Sequence, residues 1–202
     1  MAVTIATVDL ARILSEAAVF AETSPDIPSL HAVQLEADGG RLIAVATNRF
    51  QLGASAAFLD GGKPRWQILL SLNHVKLISA ACRAAGVSAK VELLHIAGAG
   101  GELRMYFSDG GELKVVGKVT KLPPWRQLVT AELAEQPQQM FVIDPQRLAK
   151  FGRIKRKGSQ MRVNVPALPN RAVTVMGGAD FVGLLMPMRY EHGWLMPEWA
   201  KP

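Results

Sequence analysis

Apolar and polar residues change period along this chain in a fixed order. Residues 3–8, VTIATV, alternate like a half-buried strand. After Asp9, placed as an Asx cap, Leu10, Ile13, Leu14, Ala17 and Ala21 recur at helical spacing and share one face. Pro25 and Pro28 end that segment, because proline removes a helix donor and clashes with the preceding turn. HAVQLEA and LIAVAT then read as strands on either side of Asp38-Gly39-Gly40, and QLGASAAFL continues as a third.

The same order returns twice, at intervals of roughly 64 to 71 residues. In the second repeat WQILLSL leads to Asn73 as cap, then to the helix HVKLISAACRAA, which stops at Gly86. KVELLHIA, ELRMYFS and ELKVVGKV follow as strands, separated by GAGG and by Asp109-Gly110-Gly111. GAGG lies between two strands and lacks the lysine and helix of a phosphate loop, so it reads as a hairpin turn. In the third repeat QMFVI precedes Asp144-Pro145, a cap and first-turn pair, and a helix from Gln146 to about Lys157 ends at Gly158. MRVNVPAL, RAVTVMG and FVGLLMPM supply its strands. The pattern predicts an α+β protein with antiparallel sheets and a few short helices.

A helix turns 100° per residue, which divides each helix into an inner and an outer face. In the second, Leu77, Ile78, Ala81 and Cys82 face inward, while Lys76 and Arg83 share the outer side with Ser79 and Ala80. In the third, Leu148, Phe151 and Ile154 face inward, and Lys150, Arg153, Arg156 and Lys157 face outward. The first carries Arg12, Ser15, Glu16 and Glu22 outside and has no net positive charge there. The whole chain has a formal net charge of +6, and no acidic residue falls between Asp144 and Asp180. Such basic faces suit a polyanion, and without interleaved aromatics they point to phosphate contact rather than base reading.

At 49% hydrophobic residues the chain can bury a core, and no apolar run is long enough to span a bilayer. A cytoplasmic protein is expected. Cys82 is the only cysteine, so no intrachain disulfide or cysteine metal cluster forms. His31, His74, His95 and His192 lie in separate elements without metal-ligand spacing, and no nucleophile elbow, Walker loop or nuclease-type carboxylate pair is present. A binding protein without metal or cofactor is expected, not an enzyme.

Four segments carry a specific likeness. RLIAVATNRFQLG, residues 41–53, is similar to ATDGHRLA, and TKLPPWRQLV, residues 120–129, is similar to FPDYRRVLP. IDPQRLAKF opens the third helix, and LLMPMR, residues 184–189, is similar to VVMPMRL. In these pieces, their order and their spacing, the chain resembles the bacterial DNA polymerase III beta sliding clamp over residues 3–190. That resemblance implies a DNA clamp fold, with helices lining a ring around duplex DNA and sheets outside. Residues 1–130 resemble the central clamp domain and 131–190 the second half of the last domain, with 191–202 as an aromatic tail.

Together with the basic helix faces, the resemblance implies a processivity factor that binds double-stranded DNA without sequence preference, with the outward cations Lys76, Arg83, Lys150, Arg153, Arg156 and Lys157 as the expected contacts. DNA polymerase and other proteins with a clamp-binding motif are the implied partners, and a clamp loader is a further one. Their peptide would enter a cleft formed by Thr47, Arg49, Phe50, Gln51 and Leu52, by Pro123, Gln127 and Leu128, and by Leu184, Met186, Pro187 and Met188. Arg49 stands where the family pattern has glycine, Phe50 replaces its histidine, and Gln51 and Gln127 replace arginines. Twelve repeats make the family's ring, so three repeats per chain imply a homotetramer. The competing expectation is a clamp-fold interaction protein, of phage or plasmid type, that uses the cleft without encircling DNA. A basic transcription or architectural protein is disfavoured, since no recognition helix appears in a helix-turn-helix setting.

Overall fold

A computed structural model describes residues 2–49, 52–127, 142–151, 161–165, 173–177, 182–185, 187–188 and 199. The elements run β1 (Ala2–Ala6), α1 (Thr7–Ala18), β2 (Ala32–Asp38), β3 (Arg41–Thr47), β4 (Leu52–Phe58), β5 (Trp66–Ser71), α2 (Leu72–Ala85), β6 (Lys90–Ile96), β7 (Glu102–Phe107) and β8 (Glu112–Val116). They continue with α3 (Pro145–Phe151), β9 (Met161–Asn164), β10 (Val173–Gly177) and β11 (Val182–Leu185). The order matches the α+β expectation. Two compact units result, Met1–Thr130 with Glu198–Pro202, and Ala131–Pro197.

In the first unit the two repeats exchange their opening strands. One sheet runs β4-β3-β2-β5 and the other β1-β6-β7-β8, every neighbouring pair antiparallel. The first strand of each repeat therefore completes the sheet of the other. Alternation in the strands and the helical stripes feed one core, in which Ile5, Leu10, Ile13, Leu14, Leu35, Ile78, Leu93 and Leu103 are fully buried. Helices α1 and α2 pack against each other above the sheets. In the second unit the sheet is β11-β10-β9, and Val142 forms an antiparallel bridge with Met188.

Helix starts differ from the sequence reading. Asp9 is not the cap of α1: the helix begins at Thr7, Ala6 holds the N-cap position without a side-chain bond, and Asp9 lies in the first turn, where a carboxylate suits the helix dipole. The Thr7 hydroxyl serves that junction instead, reaching the carbonyls of Gly86 at 2.8 Å and Ala89 at 3.0 Å. Asn73 is likewise not the cap of α2, because the His74 N–H donates to Ser71 Oγ at 3.1 Å. Asp144 does cap α3, accepting from the Gln146 N–H at 2.8 Å.

The inner face of α2 is Val75, Ile78, Ser79 and Cys82, an i, i+3, i+4, i+7 stripe. Leu77 lies off that stripe and is 48% exposed, while Ser79 is inside. Glu22 lies beyond the end of α1 and accepts from the backbone N–H groups of Ser24 and Thr23, which hold its carboxyl below the usual range. Leu148, expected inside, is 46% exposed on α3, and Ile154 lies outside the described residues.

Candidate nucleic-acid and peptide-binding surfaces

Helix α2 presents Lys76 and Arg83 to solvent, seven residues and so about 10 Å apart along one face. Among the described residues neither has a salt-bridge partner. On α1 the corresponding positive charge is consumed locally. Arg12 pairs with Asp9 at 3.3 Å and Glu16 at 3.1 Å, and its guanidinium also donates to Ser55 Oγ and the Ala56 carbonyl. Lys150 belongs to α3, whereas Arg153, Arg156 and Lys157 lie outside the described residues.

The first cleft segment forms the β3–β4 hairpin. Thr47 is buried and faces Leu52 in register, and its hydroxyl accepts from the Arg49 N–H at 3.2 Å. Arg49 has φ 77°, a left-handed conformation that costs a residue with Cβ about 1–2 kcal/mol relative to glycine. Arginine thus holds here a turn geometry that a glycine would adopt without strain. Phe50 and Gln51 lie outside the described residues.

The second segment crosses the outer face of the β2–β5 pair and lines a groove of about 520 Å³ with Pro123, Trp125, Arg126 and Gln127. Its floor is polar, because Gln34 and Glu36 project from β2 on the side away from the core residues Val33 and Leu35. Gln34 Nε2 donates to Glu36 Oε2 at 3.0 Å, and the Arg126 guanidinium pairs with the other Glu36 oxygen. Arg126 also lies 4.4 Å from the centroid of the Trp125 ring, and Trp199 from the tail packs on Trp125 at 6.5 Å. A buried carboxylate needs such a cation, since removing one partner of a buried pair typically costs about 3–5 kcal/mol.

Thr47 and Leu52 thus share a hairpin, and Pro123 and Gln127 share a groove wall; Leu128 is not among the described residues. In the second unit Leu184 pairs with Thr174 in β11, Pro187 is half-buried and Met188 is exposed, while Met186 lies outside the described residues. Sequence reasoning missed Gln34, Glu36, Trp125 and Arg126. The signal for the first two was present: two polar residues at alternate positions inside an otherwise apolar strand, HAVQLEA.

Other chemistry-bearing residues have structural surroundings. His95 stacks on Trp66 at 5.1 Å, and burial lowers its pKa. Burial pushes the Cys82 thiol up to about 11. Among the described residues no cluster of His, Cys, Asp or Glu could hold a metal, and no helix is long and apolar enough to cross a membrane.

The exchanged strands, paired helices and antiparallel sheets define the chain as having the sliding-clamp fold. The likeness to bacterial DNA polymerase III beta subunits holds in three dimensions. The DNA polymerase sliding clamp of Bacillus subtilis matches with TM-score 0.70 at 15% identity, covering 93% of this chain and 49% of that one. The sliding clamp of Pseudomonas aeruginosa, solved bound to griselimycin, matches with TM-score 0.70 at 15% identity over 93% of this chain and 50% of its own. The DNA polymerase III beta subunit of Thermotoga maritima matches with TM-score 0.71 at 14% identity over 93% and 50%. This chain spans about half the length of those clamps. No protein-family model and no curated protein matches the sequence.

Proposed function

We propose that this chain acts as a DNA sliding clamp, a non-catalytic processivity factor that encircles duplex DNA and tethers replication proteins. The observation that carries the reading is the clamp fold joined to an α2 face whose Lys76 and Arg83 have no carboxylate partner among the described residues. Cations on a rigid helix face attract phosphates without reading bases, and binding of that kind permits sliding. Lys150, Arg153, Arg156 and Lys157 of the third repeat extend the same DNA-facing set. Four chains supply twelve repeats, so a homotetrameric ring is the assembly proposed, in the cytoplasm, with a loader to open it.

Polymerase-type peptides are proposed to bind at Thr47, Arg49, Phe50, Gln51 and Leu52, at Pro123, Gln127 and Leu128, and at Leu184, Met186, Pro187 and Met188. An apolar wall at Pro123 and Trp125 beside the polar Gln34–Glu36 floor suits a peptide that combines a glutamine with apolar side chains. Thioethers at Met186 and Met188 adapt to varied apolar partners.

Retention on DNA tests the reading. Protein bound to nicked circular DNA is expected to co-elute with it on gel filtration in high salt and to be lost once the circle is cut. Equal loss from circular and linear DNA, with peptide binding intact, would instead establish the non-encircling interaction protein.

A further inference from the structure

The first unit shows what a repeat of this chain needs in order to be complete. Each repeat gives its opening strand to the other sheet and receives one in return: β1 adds to β6, and β5 adds to β2. The donated strand also keeps one bridge to its own repeat. Thr4 of β1 bridges Asp60, just beyond β4, the last strand of the first repeat.

The third repeat has the same internal bridge. Val142, in the predicted strand QMFVI, bridges Met188, just beyond β11, the last strand of that repeat. Val142 is therefore tied to the end of its own repeat as Thr4 is. Among the described residues, however, nothing corresponds to the sheet that would accept its opening segment. The receiving edge is open as well: β9 occupies the place of β2 and β6, and among the described residues its pairing is with β10 alone.

Exposure reports the same deficit. Leu148 is the fourth residue of α3, and the fourth residues of α1 and α2 are Leu10 and Val75. Those two are 0% and 5% exposed, whereas Leu148 is 46% exposed. Ile5 of β1 is 2% exposed, while Ile143, one residue past the bridge as Ile5 is, is only half-buried. On β9 Val163 is 52% exposed, and Val165 just after it 49%.

We propose that the third repeat is completed by the third repeat of a second copy of this chain, the two exchanging their opening strands as the first and second repeats do. The surface is self-complementary, since one repeat carries both a strand to give and an edge to receive it. A two-fold axis satisfies both needs at once, which is the ordinary geometry of a closed dimer. Edges left open on a sheet are prone to pair with another chain, and here the matching strand is supplied by the same sequence. Two chains joined in this way carry three complete exchanged pairs. The inference goes beyond the proposed clamp function, because the exchange does not require DNA.

The test is mass in solution and its response to charge at the two apolar positions. Sedimentation of the full chain at about 10 μM is expected to give the mass of two chains or a multiple of it. Val163→Lys and Leu148→Glu place charges that are solvated in a single chain and desolvated in the pair, where an unpaired charge is strongly unfavourable. Each is expected to lower the mass at least twofold, with amide exchange at β10 still slow to show that the sheet remains folded. A wild-type chain that sediments singly overturns the proposal, even if it captures a strand from a different protein. So does a mass that neither variant changes. Retention on circular DNA is a separate measurement: a pair that forms in solution yet is lost equally from circular and linear DNA removes the clamp reading and leaves the exchange standing.

Discussion

Helices α1 and α2 occupy equivalent places in the exchanged pair, yet their outer faces are opposite in character. Both bury a stripe at helical spacing, Leu10, Ile13, Leu14 and Ala17 in one and Val75, Ile78, Ser79 and Cys82 in the other. Outside, Arg12 is surrounded by Asp9 and Glu16, whereas Lys76 and Arg83 stand open. Burial sets the position of a helix in this fold and leaves its solvent charge free to vary. The functional difference between two repeats of one architecture can therefore reside in residues with almost no influence on folding.

The largest effect tests the shared half of that comparison. Ile13→Ala and Ile78→Ala each remove a fully buried side chain and are expected to cost about 2–5 kcal/mol in urea unfolding, with similar values for both helices. A loss below about 1 kcal/mol at either site would mean that the core reorganises there, and the equivalence would end. Next comes the half that differs. Lys76→Gln with Arg83→Gln is expected to reduce the log–log salt slope of DNA binding by about 1.8, at roughly 0.9 per phosphate contact, while Arg12→Gln leaves it unchanged. A slope that responds only to Arg12 would reverse the roles of the helices. The smallest effect concerns reactivity at the inner face of α2. A thiol pushed up to about 11 is ionised to only about one part in a thousand at pH 8, so Cys82 should label slowly in the native chain and fully in urea. Rapid native labelling would place Cys82 outside the core.

Much of the element order was legible because each strand and helix advertises its own period. VTIATV, HAVQLEA and LIAVAT alternate, and Leu10, Ile13, Leu14 and Ala17 recur as a stripe. Helix starts were less legible, because Asp9 and Asn73 are good capping residues that happen to lie inside the first turn. Leu77 misled for a related reason: hydrophobic character pulled the α2 stripe away from the spacing that Val75 defines. Strand exchange left no local mark at all. Ile5 pairs with Val91, and nothing near either residue specifies a partner so distant in sequence. The groove was half legible, since PPWRQ stands within one continuous segment while the polar floor comes from Gln34 and Glu36, far away on β2. Arg49 shows the reverse, a departure from a glycine pattern at a position whose φ of 77° is one that glycine adopts without strain.

The exchange of β1 and β5 also sets a timetable for biosynthesis. Ala2 to Ala6 leave the ribosome well before their partners, Leu94 back to Lys90. At about 5–20 residues per second the opening strand waits roughly 5–20 s for the sheet that receives it. Its alternate apolar residues stay uncovered during that interval, and closing so long a loop is the kind of non-local step that slows folding. Once formed, neither sheet opens without the other losing an edge, so the first unit is expected to unfold as one cooperative block.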